Sequence, residues 1–490
     1  MSGLGIHVAV RSALRAATAV SIAAFVSGCA GFHRGGRSEV HDSVAQVWIT
    51  TGDKSRLLSR DPDLPMRRVG EEPDSAGIVV DVTEADAFQE MVGFGAAMTD
   101  ASAHLIQRMP IDARNALMRE LFGSAPGIGL NFVRVPMGAS DFSLRHYSYD
   151  DMPAGERDTA LEHFSIDADG AGRLPLLRQA LAINPQLKLV ASPWSAPGWM
   201  KTSGSLIGGT LRRDAVNAFA RYIVKFLDAY AAEGVPIFSV TLQNEPAFEP
   251  ADYPGMRLDP ADRAEIIGRY LGPMLATGRV PTMILDWDHN WDRPDQPLAV
   301  LADSVARRYV SGVAWHCYAG DVRAQDTVHA AHPDKDAYFT ECSGGTWAPN
   351  FADNLAWTVR TLIIGSVRGW ARGVALWNLA LDEHSGPHSG GCGNCRGVIT
   401  INSTSGNVTR NEEYYALAHA SRFVRPGARR IASSTTAPGI QGVAFRNPDG
   451  SKVLVVVNSA STQLAFSIHA NGIAMRYALP AGAVATICWI

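Results

Sequence analysis

The chain has 490 residues, is 46% hydrophobic and 19% charged, and carries a formal net charge of −4. These values exclude a disordered protein, a collagen-like repeat and a multi-span membrane protein, and they leave ample length for a large core. The 44 lysines and arginines are scattered rather than gathered into a run or stripe, so no nucleic-acid partner is expected.

Arg11 and Arg15 precede an apolar run, Ala16 to Val26, which has signal-peptide length and is short for a bilayer span. It ends in Val26-Ser27-Gly28-Cys29, which resembles the lipobox of bacterial lipoproteins, where the cysteine is acylated after cleavage. Residues 1–29 are therefore expected to be a lipoprotein-type signal peptide with Cys29 as the lipidation site. The protein is expected to be exported and to meet a membrane through that anchor only, or otherwise to be secreted. Residues 30–43, rich in Gly, Arg and His, read as a flexible tether.

Residues 44–84 carry short strand-like runs at 46–51 and 77–82. Between 85 and 428 the rhythm changes, and short apolar runs alternate with helical patterns. Ala215–Ala232, for example, carries Phe219, Tyr222, Ile223, Phe226 and Leu227 at helical spacing. Eight runs read as strands: 91–97, 131–137, 187–192, 237–242, 282–286, 312–316, 337–340 and 373–378. Eight strand-helix units predict a (β/α)8 TIM barrel. An open doubly wound sheet is disfavoured because no Gly-rich phosphate fingerprint or P-loop follows any strand. Residues 429–490 return to short strands. One hairpin turn is predicted at Asn447-Pro448-Asp449-Gly450, and the two chain ends are expected to build an accessory all-β sandwich.

In such a barrel, functional residues sit at the C-terminal ends of the strands. Thr99-Asp100, Asp141, Trp194, Asn244-Glu245, Asp286, His316, Tyr318, Glu341 and Trp377-Asn378 all close or follow an apolar run. Aromatic rings mixed with amides and carboxylates suit a sugar, whose faces are apolar and whose hydroxyls need donors and acceptors. Glu245 ends the fourth strand and Glu341 the seventh, so the two can face each other across the barrel mouth. Hydrolysis of a glycosidic bond needs such a pair. Roughly 5–5.5 Å between the carboxyls gives a covalent intermediate and retention, and roughly 6.5–9.5 Å gives inversion.

The ordered blocks Gly93 to Asp100, Arg134 to Met137, Ser140 to Ser143, Ala191 to Pro197, Trp199 to Thr202, Asn244-Glu245-Pro246, His316-Cys317-Tyr318, Glu341-Cys342, Trp377 to Leu381 and Tyr415 to Ile431 resemble glycoside hydrolase family 30, the family of the glucosylceramidases. The resemblance implies a retaining β-glycosidase with Glu245 as acid/base and Glu341 as nucleophile. It also implies that Asp100, Trp194, Asn244 and Trp377 bind the sugar, that His316 and Tyr318 lie near the nucleophile, and that Arg134 holds a catalytic carboxylate. No metal or organic cofactor is implied. The substrate is a β-glucoside, β-glucan or glycolipid. Alternatives within the family are an endo-β-1,6-glucanase or a β-xylosidase, and the loop Ser203 to Leu211 helps to decide among them. A glycan-binding surface lipoprotein without catalysis would be expected to lack one of the two glutamates.

Three further patterns in the sequence suggest other chemistry. Asp286 to Asp292 spaces its acids like a calcium loop, but Trp291 and Pro297 stand where glycine and glutamate belong, so a loop lining the substrate mouth is expected instead. His384, His388, Cys392 and Cys395 have zinc-like spacing. In an exported protein a Cys392–Cys395 disulfide is the preferred reading. Cys317, Cys342 and Cys488 read as buried small residues.

Overall fold

The computed structural model describes residues 44–71 and 77–490. The expected signal peptide, the tether and Cys29 lie outside the described residues.

The barrel strands are Gly93–Ala97, Phe132–Met137, Lys188–Pro193, Ser239–Thr241, Met283–Asn290, Val310–His316, Asp336–Glu341 and Ala371–Asn378. They pair in parallel in chain order, and the eighth pairs with the first. The backbone N–H of Asn131 donates to Phe94 (3.0 Å) and that of Met98 to Arg134 (2.9 Å), which closes the first strand onto the second. Strands covered on both faces need continuous rather than alternating apolar residues, which is why runs such as Val374-Ala375-Leu376 were readable. Phe132, Val190, Leu285, Ala314, Tyr338 and Ala375 fill the barrel interior. The Phe132 ring takes the space that a Cβ on Gly373 would occupy, 2.9 Å from its ring carbons, so glycine there permits the close packing.

Helix Val216–Ala232 shows how the outer layer forms. Phe219, Tyr222, Ile223, Phe226, Leu227 and Tyr230 recur along one face and are buried against the barrel. Gly234, at φ +75°, ends it: its N–H donates to Ala231 (3.0 Å) and that of Val235 to Tyr230 (2.9 Å), satisfying terminal carbonyls.

The second layer is a ten-stranded sheet that draws on both chain ends. Val44–Thr50 pairs with Val484–Trp489, and Val79–Glu90 pairs with Arg429–Thr435. The latter N-terminal strand runs to Glu90, beyond the boundary expected at 84. Ile440–Arg446 and Lys452–Asn458 form the hairpin around Asn447 to Gly450, with Arg446 opposite Lys452. In Lys452–Asn458 the period of two is explicit. Leu454 and Val456 join the sandwich core, while Val453, Val455 and Val457 join the core shared with the barrel. At this joint His419 is buried between the hydroxyls of Thr486 (2.8 Å) and Thr50 (2.9 Å). Burial lowers its pKa to about 3.

The structure corrects the expectation for Cys317 and Cys342, which form a disulfide. Each follows the last residue of its strand, His316 and Glu341, and those strands are neighbours. The pairing is set by strand adjacency, which single residues read one at a time do not reveal. Cys392 and Cys395 form a second disulfide in the loop after the eighth strand, and Cys488 is buried.

Candidate active site

At the C-terminal end of the barrel lies a cleft of about 430 Å³, walled by Glu245, Glu341, Tyr318, Trp377 and Cys392, among others. Oxygens of Glu245 and Glu341 and a ring nitrogen of His316 all lie within 4.8 Å of one another. The carboxyls therefore sit at the short separation associated with retention.

Arg134 anchors the site from the second strand. Its buried guanidinium donates to Glu341, to Asn244 Oδ1 (2.7 Å) and to Asp288 Oδ2 (2.7 Å). It also lies over the rings of Trp194 (4.7 Å) and Trp377 (5.5 Å), which stack on each other with centroids 5.1 Å apart. Burial alone would weaken its proton affinity, but Asp288 and Glu341 raise it, so Arg134 stays charged. Tyr318 donates its hydroxyl to Glu341 Oε1 (2.9 Å), giving that carboxylate two donors.

His316 bridges the acids. Its Nδ1 is 3.2 Å from Glu245 Oε1 and its Nε2 is 3.0 Å from Asp288 Oδ1. Burial disfavours the imidazolium, yet Glu341, Asp288 and Glu245 together push its pKa up to about 9. Burial pushes Glu341 up, reinforced by Glu245 and partly offset by His316 and Arg134. Burial also acts on Glu245, but His316 and His289 outweigh it and draw that carboxyl down. Asp288, despite burial, is held well below the usual carboxylate range by Arg134 and His316.

Not every expected residue lines the cleft. Asp100 opens helix Asp100–Arg108, and its carboxylate is taken by Arg173 Nε (3.0 Å) and the Tyr147 hydroxyl (3.1 Å), outside the cleft wall. Trp194 is buried behind Trp377 and backs it rather than forming the wall.

The sequence reading missed Asp288. The segment expected to be a loop after Asp286 continues as strand to Asn290. A period of two would point Asp286 and Asp288 to the same face. Asp286 does face outward, to Arg263 (2.8 Å). Trp287 and Asp288 then adopt left-handed φ values of 76° and 52°, and the register with the sixth strand slips by one residue. This bulge turns Asp288 inward, where it also accepts from Ser192 (2.6 Å), Thr241 (2.8 Å) and Thr340 (2.7 Å). Glu245 is itself left-handed, at φ 47°, with its N–H donated to the Asp288 carbonyl (3.0 Å). Three of the nine non-glycine residues with left-handed φ among the described residues thus lie at the site. Asp141 and Tyr253 also line the cleft. Burial, then Glu341 and Glu245, raise Asp141 well above the usual carboxylate range.

An eight-stranded barrel with two carboxyls at this distance, backed by stacked tryptophans, defines a glycoside hydrolase. Residues 91–424 match the glycosyl hydrolase family 30 TIM-barrel domain and residues 427–487 the family's beta sandwich domain, and the chain belongs to that family. It is 36% identical over 407 residues to the endo-1,6-beta-D-glucanase neg1 of Aspergillus fumigatus, covering 78% of this chain and 81% of the relative. It is 31% identical over 421 residues to the lysosomal acid glucosylceramidase of Mus musculus, covering 80% and 79%. Among solved structures, the endo-beta1,6-glucanase BT3312 superposes with a TM-score of 0.83 at 32% identity, covering 91% of this chain and 99% of that one.

Proposed function

We propose that the protein hydrolyses β-1,6-linked glucan with retention, Glu341 acting as nucleophile and Glu245 as acid and base. The approach of their oxygens to within 4.8 Å carries this reading. The similarity to endo-1,6-β-glucanases supports the choice of substrate. A glucosylceramide is the second reading, favoured by the similarity to the mouse enzyme.

Arg134 and Tyr318 orient the Glu341 carboxylate for attack on the anomeric carbon. Glu245 gives its proton to the departing oxygen, and a glycosyl ester forms on Glu341. Water then attacks that carbon, Glu245 takes its proton, and the ester bond to Glu341 breaks. With the His316 pKa raised to about 9, we assign the resting proton to its Nδ1, 3.2 Å from Glu245. A substrate that seals the cleft strips water from the charged pair and favours the neutral one, so the proton passes to Glu245. His316 keeps its other proton on the Asp288 side. Asn244, fixed through its oxygen by Arg134, presents its NH2 group to a sugar hydroxyl.

The test is turnover of aryl β-glucoside and β-1,6-glucan, with the anomer of the first product read by NMR. Glu341→Gln is expected to abolish activity. Glu245→Ala is expected to keep some on good leaving groups and to recover with azide. First-formed α-anomer, or near-normal turnover by Glu341→Gln, overturns the assignment. We also propose that the protein is exported and acylated at Cys29, supported by the apolar run before Val26-Ser27-Gly28-Cys29. Labelled palmitate should enter the native protein and not Cys29→Ala; incorporation into both would refute this.

A further inference from the structure

The catalytic cleft does not end at the carboxylates. A groove of about 760 Å³, larger than the cleft itself, continues from it and shares Tyr318 and Trp347 as walls. The Cys317–Cys342 disulfide lies along it. Its far side is helix Phe351–Trp357, which continues as a wider turn through Thr358–Gly365, and it ends at Ser459 of the sandwich.

The helix presents Asp353, Trp357 and Arg360 to the groove, at spacings of four and three, so they share one face. All three are exposed. Trp357 is 37% and Trp347 54% accessible, an unusual exposure for two large rings facing one channel. The Arg360 side chain has no ion-pair or hydrogen-bond partner among the described residues. The helical segment that carries these residues is tied to the sandwich at both ends. Lys54 lies over the Phe351 ring (4.7 Å), and Arg368, beyond the wider turn, donates to the carbonyls of Gly442 (2.9 Å) and Ser433 (2.7 Å).

Rings for apolar sugar faces, alternating with an amide, a carboxylate and a guanidinium for hydroxyls, suit a glycan. An acyl chain in the same groove would bury Asp353 and Arg360 against hydrocarbon, at a large desolvation cost. We propose that this groove is a distal glycan subsite. It holds sugar residues of the β-glucan chain remote from the bond being cleaved, with Trp357 and Arg360 as its principal contacts. The inference rests on the glucan reading and adds where the rest of the polymer lies.

The experiment compares native protein with Trp357→Ala, Trp357→Phe and Arg360→Ala on β-1,6-glucan, on an aryl β-glucoside and on micellar glucosylceramide. The alanine variants are expected to lose about tenfold in kcat/KM on the glucan, the scale of one stacking contact. They should leave the aryl glucoside unchanged, and Trp357→Phe should restore most of the loss. Glucan affinity of the same variants in a Glu341→Gln background should fall in parallel. Unchanged glucan kinetics, or equal losses on glucan and aryl glucoside, overturn the subsite. A loss confined to glucosylceramide overturns it in favour of a lipid channel. Native protein that cleaves the aryl glucoside but no β-glucan also refutes it while leaving the carboxylate chemistry standing. Native protein that cleaves none of the three removes the proposed function and the subsite together.

Discussion

The sandwich strand Lys452–Asn458 and the barrel strand Met283–Asn290 are both deeply buried, yet they are built on opposite principles. In the first, residues 453 to 457 obey the period of two, and each face meets its own core. In the second, Trp287 and Asp288 break the period, and the break aims a carboxylate at the reaction. Regularity carries stability, and the local violation carries function.

Substitutions should separate the two. The largest effect is expected at the violation. Asp288→Asn removes the charge that holds Arg134 and His316, and should lower kcat/KM on aryl β-glucoside by about 10²–10⁴-fold, the scale of losing preorganised electrostatics. Its thermal transition should stay cooperative, and near-native activity would detach the bulge from the site. Leu454→Ala is the mirror experiment. It should cost about 2–5 kcal/mol of stability through a core cavity, with unchanged activity per folded molecule. Denaturant titration beside active-site counting measures both, and a selective loss of kcat would erase the contrast.

Two histidines sharpen it further through pH. His419 is buried neutral in the regular region with a pKa of about 3. Below its unfolded value of about 6.5 the unfolded chain takes up a proton that the folded one refuses, so stability falls as the pH drops. Replacing it by glutamine should flatten the decline in Tm between pH 6.5 and 4.5; an unchanged slope would refute the assignment. His316 has the reverse sign. Its pKa is raised to about 9, so its contribution is complete below about 6.5 and fades as the pH climbs through 9. The Tm difference between native protein and His316→Asn should shrink over that interval. A gap that is constant with pH would mean that the imidazolium is not what stabilises the site.

Much of this was legible in the residues themselves. The eight barrel strands announce themselves because burial on both faces demands unbroken apolar runs. Glu341 stands out because it closes such a run, and Glu245 because it follows one, four residues beyond the end of the fourth strand. Asp288 was not legible, since alternation places it with Asp286 and only the left-handed backbone at Trp287 and Asp288 reverses it. The Cys317–Cys342 bond depends on which strands are neighbours, and Asp100 on Arg173, far along the chain. Each of these is a relation between distant residues, and none leaves a local periodic trace.

Glu245 occupies a left-handed backbone conformation that costs a side-chain-bearing residue on the order of 1 kcal/mol and costs glycine little. Any screen of this protein for heat resistance alone therefore has an incentive to replace its own proton donor with glycine. Selection for durability and selection for turnover pull on that codon in opposite directions.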